Sequence, residues 1–243
     1  SSIMKKVDLL VFGAHPDDIE LGAGGMVAKE VSLGKRVGLV DLTQGELGTR
    51  GSAALRREEA NNALKILGAD FRENMCLADG FFRNDKETQL KVIEVIRKYQ
   101  PEMVVCNAVE DRHIDHGRAS QLLSDSCFLS GLKKIETSDS DGNQQAPWRP
   151  KAVYHYIQWK DIRPDVLVDI GDFIEAKIES VKAYKSQFYD PNSKEPTTPI
   201  SSKAFLDSIS FRASDLGRMI GVKYAEGFTV QRYIGVNSLF DLK

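Results

Sequence analysis

Three of the four histidines of this chain, His15, His113 and His116, fall in two short acidic stretches. The first is "HPDD" within "GAHPDDIELGAGG", residues 13–25; the second is "EDRHIDH", residues 110–116. Placing so much charge directly after an apolar segment is costly unless a partner compensates it. Histidine and carboxylate ligands suit a borderline metal such as zinc, which in catalytic sites keeps three protein ligands and one open position for water. Two histidines and one aspartate meet that count. Adjacent loop residues point different ways, so only one of Asp17 and Asp18 easily joins His15 on the metal. The other is left where it can take a proton, as general base, from a water that the metal acidifies. In the second stretch, if His116 is a ligand, His113 can face the substrate and Asp115 can hold an imidazole in one tautomer. A protonated His113 would then help stabilise a tetrahedral oxyanion.

Other marks are weaker. Gly22, Gly24 and Gly25, with Asp41 further on, imitate a dinucleotide fingerprint, but "HPDD" occupies the turn where its first glycine belongs. Arg56 and Glu59 share a helix face at i, i+3, which ordinarily makes an exposed pair. Arg56 nevertheless stands close behind "QGELGTRGS", where a guanidinium can bind an anionic or hydroxyl-rich substrate. His155, flanked by aromatics in "VYHYIQW", reads as structural.

These residues need a scaffold, and the chain alternates strand-like and helix-like segments. Strands are expected at residues 6–14, 36–43, 74–78 and 102–108, separated by helices at 24–34, 53–68 and 86–99 and followed by one at 117–132. Ser52 and Gly68 are suitable ends for the second helix. Such spacing implies right-handed βαβ crossovers and a parallel sheet, with ligands at the carboxyl ends of its strands. "HPDD", "QGELGTRG" and "EDRHIDH" all fall there. The polar stretch 137–150 reads as an exposed loop. Two more strands, at 151–159 and 165–170, and two closing helices, at 172–188 and 202–221, complete the expected α/β architecture. It is a Rossmann-like three-layer fold, with the C-terminal strands and helices added to one domain over 4–243. Residues 1–3 read as a remnant ahead of Met4. The segment 189–202, with three prolines, is a candidate lid.

Bulk properties narrow the class. A formal charge of −2 and a pI near 6.1 give no basic surface for nucleic acid or anionic membrane. No apolar run approaches membrane-spanning length, and nothing at the N-terminus resembles a signal peptide. Three scattered cysteines, Cys76, Cys106 and Cys127, read as reduced structural residues of a cytoplasmic protein.

"AHPDD", "QGELGTRG" and "HIDH", in that order, resemble the PIG-L/LmbE-like family of zinc-dependent N-acetylglucosamine deacetylases. The tail "SSKAFLDSISFRASDLGRMIGVKYAEGF" is similar to the branch that deacetylates N-acetylglucosaminyl-malate in bacillithiol biosynthesis. The resemblance implies His15, Asp18 and His116 as zinc ligands, with iron an alternative metal in the cell. It implies Asp17 as general base, His113 as oxyanion stabiliser, Asp115 as the orienter of a histidine and Arg56 as a substrate contact. It also implies a small N-acetyl amino-sugar conjugate as substrate and a homo-oligomer. The family motif often ends in A-H-P-D-D-E, whereas Ile19 precedes Glu20 here, which weakens any role for Glu20. Chitooligosaccharide or inositol conjugates are alternative substrates. A non-haem iron enzyme shares the two-histidine, one-carboxylate triad, but the alternating βα pattern and Asp17 count against it. A ligand-binding module without activity is the third reading, and the complete set of five residues counts against that.

Overall fold

The computed structural model describes residues 6–243. Residues 1–5, with the expected remnant and the domain start at Met4, lie outside the described residues. The described chain folds around one seven-stranded sheet with helices on both faces. Strand β1 (Leu9–Gly13) is followed by helix α1 (Asp18–Ser32), β2 (Val37–Thr43), α2 (Ala53–Leu67), β3 (Phe71–Leu77), α3 (Lys86–Tyr99), β4 (Met103–Cys106), α4 (Ile114–Leu129) and β5 (Ala152–Tyr156). These five strands are parallel, each joined to the next by a helical crossover. Both faces of β1 are covered, so it reads as an unbroken apolar run. Leu10 and Phe12 pack with Val92, Ile96 and Leu122 on one face, while Leu9 and Val11 pack with Ile19 and Val27 on the other. The result is the expected three-layer α/β fold with a mostly parallel sheet.

The C-terminal part departs from expectation. Strand β6 (Val166–Asp169) leads into helices α5 (Ile174–Lys182) and α6 (Lys203–Arg218), but a further strand, β7 (Ala225–Val230), follows them. The sheet order is β3-β2-β1-β4-β5-β7-β6, with β7 antiparallel to both neighbours. Its sequence "AEGFTV" hides the strand, because Glu226 and Gly227 break the apolar pattern. The Glu226 carboxylate is buried against Lys177 and accepts from the backbone of Met26 and, at 3.1 Å, of Gly25. Helix α5 is also shorter than the expected 172–188, ending where the chain turns to bury Tyr184 and Phe188.

Two helix starts lie earlier than the apolar pattern indicates, α1 at Asp18 rather than 24 and α4 at Ile114 rather than 117. For α1 the obstacle is its glycines, poor helix formers that tertiary contact requires here. A Cβ at Gly22 would lie 2.2 Å from Cδ2 of Tyr156, and one at Gly25 2.7 Å from Cδ1 of Ile170. The Tyr156 ring cannot yield easily, since its hydroxyl donates to the Phe12 carbonyl at 2.8 Å. Gly22→Ala is therefore expected to destabilise the protein by about 3 kcal/mol. A thermal melt should show this as a Tm lower by roughly 6–12 °C.

The three cysteines are unpaired; Cys106 and Cys127 are buried, but Cys76 is exposed on β3, contrary to its structural reading. Among the described residues no helix is long and apolar enough to cross a membrane.

Candidate active site

The sheet order reverses between β1 and β4, since β1 leads outward to β2 while the chain returns to place β4 on its other side. In an open α/β sheet this switch leaves a crevice at the carboxyl ends of the two strands. "HPDD" leaves β1 and "EDRHIDH" follows β4, so the two motifs meet there. Asp17 is the N-cap of α1 at φ 113°, a backbone conformation that costs a non-glycine residue energy and is found at functional turns. Asp18 opens the helix, and its Oδ2 accepts the His15 backbone N–H at 2.9 Å.

On the other side His113 caps α4. Its Nδ1 accepts the Asp115 backbone N–H at 3.1 Å, so in the neutral ring Nε2 carries the proton. His116 lies in the first turn of the same helix.

His15, Asp18 and His116 are all buried and each offers one donor atom, the three within 4.8 Å of one another. Asp18 lies between the rings, Oδ2 at 3.5 Å from His15 Nδ1 and Oδ1 at 3.3 Å from His116 Nε2. The far nitrogens are held by carboxylates: His15 Nε2 by Asp115 at 2.9 Å and Asp79 at 3.0 Å, His116 Nδ1 by Asp111 at 2.6 Å. This is how metal-ligating histidines are oriented, the outer carboxylate fixing the ring and leaving the inner nitrogen for the ion. Burial opposes charge on both imidazoles, yet the carboxylates hold His15 well above its ordinary pKa and push His116 up to about 9. Surroundings that keep two protons on buried rings suit a cation, and the donor set fits zinc. A second trio, His15, His113 and Asp115, meets the same distance criterion, but there His113 Nδ1 accepts the Asp115 backbone N–H and the Asp115 carboxylate holds His15 Nε2.

Asp17 stands beside this cluster, buried at the cavity wall. Burial pushes its pKa up to about 7, opposed by the Arg56 guanidinium, whose Nη2 lies 3.3 Å from Asp17 Oδ2. Arg56 also donates to the carbonyls of Pro16 and Gly45, so in place of an exposed helix pair it forms a buried strut across two strand-end loops. Glu59 is buried too, accepting from the backbone N–H of Ser186 at 2.8 Å and from its hydroxyl. Asp41, the acid that a dinucleotide reading would need, is instead gripped by Arg72 through two bonds of 2.7 and 2.8 Å. Gly22, Gly24 and Gly25 lie inside α1, which removes that reading. The same Arg72 pairs with Glu20, whose carboxyl burial pushes up.

A cavity of about 510 Å³ opens from the cluster. Its walls include Arg56, Asp79, His113, Trp159, Phe205 and Arg212. Trp159 and Phe205 stack at 5.8 Å with 12° between their planes. Ile200 brings the proline-rich segment to the cavity wall, while Arg50 anchors that segment through Ser193.

Residues 10–127 match the family model described as PIG-L: GlcNAc-PI de-N-acetylase. Diacetylchitobiose deacetylase of Thermococcus kodakarensis is 31% identical over 234 residues, 92% of this chain and 82% of that protein. The chain belongs to the PIG-L family of de-N-acetylases. The conserved protein TT1542 of Thermus thermophilus has the same fold, with a TM-score of 0.83, 33% identity and coverage of 95% and 98% of the two chains. A further relative, 4-oxalmesaconate hydratase of Pseudomonas putida, is 28% identical over 193 residues, 73% of each chain. This PIG-L family member is thus a hydrolytic N-deacetylase with a candidate metal site of two histidines and an aspartate.

The seven residues given site roles from the sequence, His15, Asp17, Asp18, Arg56, His113, Asp115 and His116, lie together at the crevice of this PIG-L family member. Sequence reasoning missed Asp79 and Asn107. Asp79 lies two residues beyond the end of β3, and its position at a strand's carboxyl end was the available signal. Asn107 directly follows β4, fully buried, and donates from Nδ2 to Asp18 Oδ2 at 3.0 Å.

Proposed function

We propose that this PIG-L family member is a zinc-dependent hydrolase that removes the acetyl group of an N-acetylglucosaminide, with N-acetylglucosaminyl-malate as the preferred substrate. The observation that carries the reading is Asp17 fixed by Arg56 beside the His15–Asp18–His116 cluster, a base held next to a metal-binding trio. When bound there, zinc supplies Lewis acidity that lowers the pKa of water towards ~7 and polarises an amide carbonyl. Asp17 accepts the proton of the attacking water. His113 faces the cavity with Nε2–H and donates to the carbonyl oxygen as negative charge develops on it. The proton held by Asp17 then passes to the departing amine, leaving acetate and a free glucosamine nitrogen. Asp115 acts through His15, holding its Nε2. Arg56 lines the cavity beside Asp17 and is positioned to contact the substrate there.

The malate preference rests on the likeness of the C-terminal tail to the bacillithiol branch, and two cavity arginines support it. Arg112 lies over the Trp159 ring at 4.7 Å, and Arg212 makes only a long 3.4 Å bond to the Lys160 carbonyl. Both guanidinium groups are thereby available to a carboxylate, which they match in geometry. Diacetylchitobiose, the substrate in the name of the Thermococcus relative, would leave them without a partner.

The test is to follow amine and acetate release from N-acetylglucosaminyl-malate and from free N-acetylglucosamine, with chelation and zinc add-back. Zinc-restored turnover of the malate conjugate well above the free sugar is expected. Equal turnover of both overturns the malate preference, and no acetate from any N-acetyl sugar overturns the reaction. His113→Gln should lower kcat by ~10²–10³-fold with KM nearly unchanged, because its donor acts on charge that exists only in the transition state.

A further inference from the structure

His155 lies on β5, separated from β1 by β4, and takes no part in the chemistry proposed above. It is buried, and its ring nitrogens join two distant parts of the molecule. Nδ1 lies 3.0 Å from the carbonyl oxygen of Asn107, and Nε2 lies 2.9 Å from the side-chain Nε2 of Gln231, one residue beyond the end of β7. Nδ1 also lies 2.8 Å from the Ser120 hydroxyl and 3.3 Å from the Cys106 thiol. Hydroxyl and thiol can donate or accept, whereas a carbonyl only accepts. Contact with the Asn107 carbonyl therefore requires the proton on Nδ1. With the ring neutral, Nε2 is then an acceptor, and the Gln231 amide supplies its donor. Along the path from Gln231 through His155 to Asn107 each bond has one donor and one acceptor, and the Ser120 hydroxyl and Cys106 thiol can then only accept from the same Nδ1–H.

Asn107 carries the chain to the candidate metal site. Its Oδ1 accepts the Ala14 backbone N–H at 2.9 Å, and its Nδ2 donates at 3.0 Å to Asp18 Oδ2 and at 3.0 Å to Gln158 Oε1. One side chain thus ties the residue before His15 to the carboxylate between the two histidines. Its backbone, the first residue after β4, is held by His155.

We infer that His155 is a positioning residue for the metal site, acting with Gln231 through Asn107 to set the Asp18 carboxylate between His15 and His116. This rests on the reading of His15, Asp18 and His116 as the metal ligands. It gives the segment after β7 a part in metal binding although it touches no ligand. Partners bonded directly to a ligand, as Asn107 is to Asp18, change metal affinity by about 10–100-fold when removed; His155, one bond further out, acts at the lower end of that range.

The test measures zinc affinity by competition with a chromogenic chelator, using the full chain and no substrate. His116→Ala comes first and is expected to weaken zinc binding at least ~100-fold; unchanged affinity would remove the ligand reading itself, and the inference with it. Given that loss, His155→Leu is expected to weaken zinc binding by about 10-fold, the lower end of the range for outer partners. Gln231→Leu, an exposed change that leaves the core intact, should weaken it in the same direction by a smaller factor, with the apo Tm unchanged. The ¹⁵N spectrum of the histidine rings should show His155 as the Nδ1–H tautomer in the wild type. Wild-type zinc affinity in the Gln231 variant, or an Nε2–H tautomer for His155, overturns the inference and leaves the ligand reading standing.

Discussion

Asp17→Asn is expected to lower kcat for acetyl release by ~10²–10⁴-fold, with zinc content equal to that of the wild type. The substitution keeps the volume of the side chain and an oxygen for Arg56 to bond, so the loop geometry around φ 113° is preserved. What it removes is the capacity to take a proton from water. It also removes a buried carboxylate whose burial cost Arg56 only partly offsets. The Tm should therefore be equal to or above that of the wild type, a gain in stability at the expense of function. Amine release, metal analysis and a thermal melt on one preparation check all three points. Activity above a tenth of wild type would make another group the base.

The origin of the site explains how much of it the sequence disclosed. Each motif is local: four residues after β1 and seven after β4 bring both candidate histidine ligands and both Asp17 and Asp18, and the βα alternation alone places them at one sheet edge. Architecture and the convergence of the candidate ligands were therefore legible. What sequence could not give was every contact made across the sheet. Asp79 reaches His15 from the far side of β2, and Asn107 reaches Asp18 from the next strand. His155 reads as structural because nothing nearby in sequence shows that Asn107 and Gln231 face its two nitrogens. Arg56 and Glu59 have the spacing of an exposed pair, and only the fold reveals that α2 turns this face inward against the loops after β1 and α5. Helix α1 shows the same limit, since three glycines argue against a helix until Tyr156 and Ile170 are seen pressed against two of them. Strand β7 was lost because a buried Glu226 has no apolar signature, and its partner Lys177 comes from helix α5.

Removing the metal should stop turnover and also weaken the fold. Asp18, Asp79, Asp111 and Asp115 all lie within 3.5 Å of a ring nitrogen of His15 or His116. Assembling these carboxylates in a buried crevice is unfavourable, and a divalent cation bound only by the folded state offsets that cost. At a free zinc concentration of about 1,000 Kd the stabilisation is about 4 kcal/mol, which for a chain of this size corresponds to a Tm difference of roughly 8–16 °C. Chelation is expected to abolish acetyl release and lower the Tm by that amount, with both restored by zinc. Asp18→Ala should be inactive, with a Tm that no longer responds to zinc, because the trio has lost the carboxylate that joins its two rings. Protection from hydrogen exchange should fall first in the opening turns of α1 and α4, which carry Asp18 and His116 on adjacent strand-end loops. A chelated protein that melts where the zinc-treated one does would mean that the two histidines and Asp18 hold no ion, and that the surrounding carboxylates are balanced by protons alone.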